Sequence, residues 1–170
     1  SQVNLISSGD IRLSTPKIVN GIPASTSSTT PQDRSTFTGS MASAGDFLLS
    51  AQRIYPVSAV NFTIQTPGNV TFAAPAGSNT RIPLSAGGSI TVFAKNIVQG
   101  GNLFAPLGKI MLGSTDTSVS PIKTEKVTLA SGSLTSVTLA DTVVPFGSTT
   151  DGTGWYYNAS LDPQAQPPSK

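Results

Sequence analysis

The sequence predicts an all-β solenoid, a parallel β-helix carrying one extruded loop and ending in an irregular or antiparallel region. Three observations predict it. A five-residue phrase recurs along the chain, the segments around it are short and alternate apolar with polar residues, and charge is scarce. The phrase is a glycine, a polar residue, then an apolar alternation: Gly9-Asp10-Ile11-Arg12-Leu13, Gly45-Asp46-Phe47-Leu48-Leu49, Gly68-Asn69-Val70-Thr71-Phe72, Gly88-Ser89-Ile90-Thr91-Val92 and Gly108-Lys109-Ile110-Met111-Leu112. Its glycines stand 36, 23, 20 and 20 residues apart. Intervals near 20 residues mark stacked supersecondary units. Period-two alternation in runs of a few residues rich in Thr, Val, Ile and Phe marks strands. The leucine-rich repeat shares the period but needs a denser leucine grammar than this chain has.

In the expected stack each phrase opens one coil. Gly9, Gly45, Gly68, Gly88 and Gly108 are read as corner residues, in a backbone conformation that a Cβ would disfavour. The polar residue after each supports the turn. An isoleucine follows three of these glycines at the same distance, at Ile18, Ile54 and Ile97. The alternation points Ile11, Leu13, Phe47, Leu49, Val70, Phe72, Ile90, Val92, Ala94, Ile97, Leu103, Ala105, Ile110 and Leu112 inward. It points Leu48, Phe93, Phe104 and Met111 outward, as a patch for a partner or a surface that a loop covers, the loop being 21–43 or the region of Trp155. Burying each large side chain contributes about 1.5–3 kcal/mol, so several stacked coils offset the chain entropy that one coil could not.

Residues 1–146 are read as the coils. The stretch 21–43, rich in Ser and Thr with Pro23 and Pro31, interrupts them as an extruded loop, either a binding loop or an unstructured insertion. Beyond Gly113, Lys126-Val127-Thr128-Leu129 and Ser133 to Leu139 form two alternating strands, and Ala130-Ser131-Gly132 between them suits a hairpin or tight corner. Residues 147–161 hold Trp155, Tyr156 and Tyr157, read as an aromatic cap over strand edges or as a ligand-stacking platform. Residues 162–170 read as an extended tail or linker.

The chain has 170 residues, no cysteine, no histidine, 11% charged residues and a formal charge of +2. Roughly a quarter of it is Ser or Thr, so its solubility rests on hydroxyls. The basic residues are scattered, which argues against the stripe that nucleic acid requires. No run reaches the ~18 apolar residues of a membrane span. Disulfides, thiol nucleophiles, Ser-His-Asp triads and most zinc sites are excluded by composition. The chain begins at Ser1 with no visible signal peptide and is expected to be a mature or excised piece of something longer.

The stretches GDFLLSAQRIYPVSAVNFTI, SAGGSITVFAKNIVQGGNLFAPLGKIMLGS, GSLTSV and VPFGSTTDGTGWYYN resemble a C-terminal-type domain of unknown function in filamentous-haemagglutinin-like exoproteins. These are the large secreted partners of two-partner secretion systems in Gram-negative bacteria. The resemblance covers about residues 45–158 and is most specific at 97–113. It implies a right-handed parallel β-helix, export through a dedicated outer-membrane transporter, and a place in adhesion or surface structure, including biofilm. It assigns no catalytic residues, and no metal or cofactor is expected.

A β-helical carbohydrate enzyme would need converging carboxylates. Asp10 and Asp46 share one repeat position, where a turn role accounts for them, and Asn69, Ser89 and Lys109 occupy the equivalent places. Asp33, Asp116, Glu125, Asp141, Asp151 and Asp162 show no spacing that brings them together, and no calcium-binding nonapeptide occurs. Asn61, Asn69 and Asn158 head Asn-x-Ser/Thr triplets, which chance supplies in a chain so rich in hydroxyls. The expected function is non-enzymatic: a structural and adhesive segment of a secreted surface exoprotein, a stiff shaft of roughly 25 Å or a presenting module. Its partners would be neighbouring coils of the parent protein, the transporter during export, and a glycan or cell-surface receptor. The alternative is a dedicated glycan- or protein-binding module using the loop 21–43 or Trp155 to Tyr157.

Overall fold

The computed structural model describes residues 1–14, 18–19, 22–23 and 37–140. Every regular element among them is a strand, and no helix long and apolar enough to cross a membrane is found among them. The strands are β1 (Gln2–Ile6), β2 (Ile11–Leu13), β3 (Ile18–Val19), β4 (Ile22–Pro23), β5 (Phe37–Ala42), β6 (Asp46–Ser50) and β7 (Ile54–Pro56). Two long strands follow, β8 (Val60–Ala73) and β9 (Ser89–Gly100), then β10 (Asn102–Phe104), β11 (Lys109–Leu112), β12 (Lys126–Leu129) and β13 (Leu134–Ser136).

Parallel pairing dominates. One seven-stranded sheet runs β1-β6-β8-β9-β11, with β5 added on β8 and β12 on β9. A four-stranded sheet runs β13-β10-β7-β2, and β3 pairs with β4 as a separate antiparallel ribbon. Among the described residues neither large sheet closes on itself. The expected right-handed parallel β-helix, with one recurring phrase per coil, is therefore corrected to two open parallel sheets of unequal size.

The five phrases show why the expectation failed. They do not share one column. The Gly45 and Gly68 phrases stack on each other, Phe47 beside Val70 and Leu49 beside Phe72. The Gly88 and Gly108 phrases stack separately, Ile90 beside Ile110 and Val92 beside Leu112. The Gly9 phrase lies in the other sheet, Ile11 beside Ile54. Ile18, Ile54 and Ile97 likewise fall in three different sheets. Between β8 and β9 the stretch 74–88 contributes no strand, which leaves the second sheet with fewer strands than the first.

Where separate short strands were expected, β8 and β9 run on for 14 and 12 residues. The first half of β8 pairs with β5 and the second with β6. The ladder between β8 and β9 skips between Thr66 and Asn69, where Pro67 supplies no donor. There the Thr66 hydroxyl donates to the Gly45 carbonyl at 2.6 Å and accepts from the Gly68 amide at 3.0 Å. The skip turns the strand without breaking the sheet.

Of the two C-terminal alternatives the antiparallel hairpin is corrected and the tight corner at Ala130-Ser131-Gly132 is the one that forms. β12 and β13 do not pair with each other as a hairpin. β12 lies parallel to β9 and β13 parallel to β10, and Gly132, with φ at +79°, turns the chain from one sheet to the other. The end of the predicted loop 21–43 is also strand, since β5 pairs parallel with β8. Residues 24–36 of that loop, the aromatic segment 147–161 and the tail 162–170 lie outside the described residues.

The glycine argument changes as well. None of the five phrase glycines has a positive φ; Gly77, Gly87, Gly113 and Gly132 do. Close approach is the reason at four of the five. A Cβ on Gly108 would run into the Gly88 carbonyl oxygen, and one on Gly45 into the Ser1 carbonyl oxygen. On Gly68 it would meet the Asp46 carboxylate at 2.5 Å, and on Gly88 the ring of Pro56 at 2.8 Å. Gly9 has open space, its nearest such neighbour being Ser7 Oγ at 3.9 Å.

The core lies between the sheets and is built of columns of stacked side chains. One column runs Val3, Phe47, Val70, Ile97, Val127, and another runs Leu5, Leu49, Phe72, Gln99, Leu129. The middle members are buried, while Val3, Val127 and Leu129, at the two ends of the stack, are exposed. Gln99 is tolerated at zero exposure because its polar atoms are bonded. Its Nε2 donates to the Gly101 and Leu134 carbonyls and to Thr135 Oγ1, and its Oε1 accepts from the Gly101 amide.

Candidate functional site

The outer side of the four-stranded sheet carries the most organised polar cluster. Ile54 and Leu103 are paired neighbours on β7 and β10 and join the main core. Alternation turns the next residues, Tyr55 and Phe104, to the opposite side. Both are nonetheless buried. The segment 74–88 is tied to this region: Ser85 Oγ donates to the Pro56 carbonyl at 2.5 Å, the Ala86 amide to Ser58 Oγ at 3.2 Å, and the Ala59 amide to the Ala86 carbonyl at 3.0 Å. An outward direction on a strand therefore does not mean exposure when a later loop returns over it.

Arg53 is the knot of this arrangement. Its Nε and Nη2 donate to Asp10 Oδ1 and Oδ2 at 2.9 and 2.5 Å, and its Nη1 donates to the Arg81 carbonyl at 3.1 Å. Tyr55 OH donates to Asp10 Oδ2 at 3.2 Å, and the guanidinium carbon stands 5.8 Å from the Tyr55 ring centroid. A fork-to-fork Arg–carboxylate pair fixes both groups in one plane. It joins β2, the approach to β7 and the 74–88 segment. The hydrogen bond to Asp10 raises the Arg53 pKa further, against the opposing effect of burial. Burial, and then the Asp10 charge, push the Tyr55 phenol up to about 12. At neutral pH this cluster holds a fixed ion pair and a neutral phenol. It fastens a loop.

The tyrosine carries a pH consequence. A phenol whose folded pKa lies above its unfolded value of 10.0 gives stability that is complete below pH 10 and is lost as pH rises toward about 12. Unfolding titrations above pH 10 are expected to fall more steeply for the native chain than for Tyr55→Phe. Equal slopes would contradict this placement of Tyr55.

A second feature is a groove of about 480 Å³ between the end of β11 and the start of β12, lined by Leu112, Gly113, Ser114, Thr115, Thr124, Glu125, Lys126 and Val127. Thr124 anchors its wall: its hydroxyl donates to the Ala94 carbonyl at 2.8 Å and accepts from the Ser114 amide at 3.2 Å. Glu125 lies 3.9 Å from Lys95, both well exposed.

The other sequence candidates are placed as follows. Phe93, expected outside, is buried, near where segment 113–125 is fastened to β9 through Thr124 and through the Glu125 amide on the Lys95 carbonyl. Phe104 is corrected in the same way, as described above. Leu48 and Met111 are half-buried, so these four residues do not make an exposed apolar patch. Trp155, Tyr156 and Tyr157 lie outside the described residues, as do Asp33, Asp141, Asp151, Asp162 and Asn158. Asp10 is an ion-pair partner rather than a turn residue. Asp46 Oδ1 accepts from the Asn69 amide and side chain at 2.7 and 3.0 Å, in a neighbouring strand. Asn69 in turn accepts from Asn96 at 2.8 Å, and Ser89 Oγ donates to Asn61 at 2.6 Å, so polar ladders run across the outer face. Asp116 is held below the usual carboxylate range by the hydroxyl and amide of Ser118. Among the described residues no three His, Cys, Asp or Glu side chains gather as a metal site.

Arg53 and Tyr55 were missed by sequence reasoning. The signal was a lone arginine entering Ile54-Tyr55-Pro56, but its partner Asp10 lies 43 residues away. Fold and cluster together define an all-β protein of parallel strands stacked in register, with a loop clasped over its smaller sheet. Comparison with protein families, curated proteins and solved structures finds no match to this chain.

Proposed function

We propose that this chain is a structural and adhesive segment of a larger secreted bacterial surface protein, of the filamentous-haemagglutinin-like kind its sequence resembles. It acts as a stiff element that presents a surface to a glycan or cell-surface receptor. The observation that carries this reading is the in-register stacking of β1, β6, β8, β9 and β12. Five strands held by continuous ladders span about 19 Å and resist bending because every level is bonded to the next. The outward positions on that stack are mostly Asn, Asp, Ser, Thr and Lys, such as Asp46, Asn69, Asn96 and Lys126 in one row. A hydroxyl- and amide-bearing wall of this kind matches the hydrogen-bonding chemistry of sugars. A chain without cysteine also crosses membranes in an extended state without thiols to cross-link.

The test is binding of the full chain to a glycan array and to bacterial and host cells, beside the Trp155/Tyr156/Tyr157→Ala variant. Saturable binding is expected, and its loss in the variant would put the contact near the carboxyl end. A folded sample that binds no glycan and no cell would overturn the adhesive reading.

A further inference from the structure

The groove at the base of residues 113–125 is more than a corner of the sheet requires. β11 pairs with the first part of β9 and β12 with the second, as β5 and β6 do on β8. Between β5 and β6 the chain makes that passage in three residues, 43–45; between β11 and β12 it takes thirteen, 113–125. A long excursion held on a rigid stack is where binding surfaces are built. Its mouth is pinned. Gly113 has φ of +83°, a Cβ on it would meet Thr124 Oγ1 at 2.6 Å, and the Thr124 hydroxyl is bonded to the Ala94 carbonyl. The groove that results, about 480 Å³, has the size of a small-molecule site.

Its lining suits one chemistry. Leu112 and Val127 give an apolar surface, and Thr115, Glu125 and Lys126 add exposed polar groups. A sugar ring is built the same way, with C–H groups on its face and hydroxyls around its edge. From Lys126 a row of polar side chains continues across the stack, through Asn96 and Asn69 to Asp46. Asn96 Nδ2 donates to Asn69 Oδ1 at 2.8 Å, and Asn69 Nδ2 to Asp46 Oδ1 at 3.0 Å. A carboxamide has two N–H donors and an acceptor oxygen. Among the described residues the ladder uses one side-chain donor of each asparagine, so these amides are held in place and keep bonding capacity toward a ligand. The row advances by about 4.8 Å per strand, close to the length of one ring in a linear polysaccharide. Charge decides the kind of sugar. Lys95 and Lys126 are balanced by Glu125 and Asp46, so groove and row together carry no net charge to attract an acidic or a basic polymer.

We propose that the groove and this row form one extended site for a linear, neutral polysaccharide, with one ring on Leu112 and Val127 and the following rings along Lys126, Asn96, Asn69 and Asp46. The assignment rests on the glycan-presenting role proposed above and gives it a ligand class and a location. Each ring makes a few weak contacts, so affinity grows with the number of rings seated at once.

The test is titration of the full chain with neutral linear oligosaccharides of glucose, xylose and galactose, from disaccharide to hexasaccharide, by calorimetry and by NMR of the labelled chain. Binding is expected to tighten about tenfold or more from disaccharide to hexasaccharide and to change little with salt. The backbone signals of Thr115 and Lys126 and the side-chain amide signals of Asn69 and Asn96 are expected to shift. Thr115 is exposed, so Thr115→Trp fills the groove without disturbing the core and is expected to weaken binding about tenfold or more. The Trp155/Tyr156/Tyr157→Ala variant is expected to keep it. Binding that is indifferent to Thr115→Trp and leaves the Asn69 and Asn96 signals unmoved would overturn this site and leave the adhesive role standing. Binding confined to acidic glycans and lost as salt is raised would overturn it equally. A folded chain that binds no glycan overturns this site, and one that also binds no cells overturns the adhesive role with it.

Discussion

Replacing Phe72 by alanine lowers the unfolding free energy by about 3–5 kcal/mol, the range for truncating a fully buried phenylalanine. Phe72 has no exposed surface and stands at the middle of a column, between Leu49 on β6 and Gln99 on β9. The void would form between two strands that the ladders hold at fixed spacing, so the walls cannot collapse into it. Both stacked neighbours lose contact at once. Leu48→Ala, one residue before Leu49 but half-buried on the opposite side, is expected to cost less than about 1.5 kcal/mol by the same transfer argument. Equilibrium denaturation of the two variants measures the difference. Equal losses would mean that the alternation of β6 and β8 has been assigned to the wrong faces.

Arg53→Met gives the second large loss, about 2–3 kcal/mol, below the range for breaking a fully buried pair because Arg53 and Asp10 side chains are each about a fifth exposed. Methionine keeps most of the side-chain stem, so the effect isolates the guanidinium. It leaves the Asp10 carboxylate short of two donors and the Arg81 carbonyl short of one. Adding Asp10→Asn to Arg53→Met is expected to recover part of the loss, since the stranded charge is then gone. The well-exposed pair Lys95–Glu125, at 3.9 Å, serves as a reference, and its disruption is expected to cost under about 1 kcal/mol. If Arg53→Met costs no more than that, the Arg53 cluster is a surface ornament and does not fasten the 74–88 segment.

The faces of the strands were legible in the sequence. Phe47, Leu49, Val70, Phe72, Ile90, Val92, Ala94, Ile97, Leu103 and Ala105 were assigned inward from period-two alternation, and all are buried. Ile11, Ile110 and Leu112 were assigned inward as well and pack against the core from its open ends. Alternation is a property of each strand alone, so it survives any error in how strands are ordered.

The order of stacking was not legible. Val70 neighbours Ile97 rather than Ile90, although the Gly68 and Gly88 phrases look alike. Register depends on how far the intervening chain travels, and that distance was hidden in the stretch 74–88. Its Pro75, Gly77, Pro83 and paired Gly87-Gly88 were turn signals of a loop that leaves the sheet and returns. The candidate site suffered from the same cause. Phe93 and Phe104 point away from the main core as alternation required, but are buried all the same. The clasp between Asp10 and Arg53 joins residues that only the fold brings together.

The stacking order is also where the account is most directly testable. Backbone amide contacts in solution, from nuclear Overhauser measurements on the labelled chain, report which strands are neighbours. The structure predicts contacts of Thr71 with Val98 and of Thr91 with Met111. A single column of glycine-headed phrases would instead place Thr71 beside Thr91, and contacts between those two threonines would contradict the two-sheet arrangement from which the site and the clasp both follow.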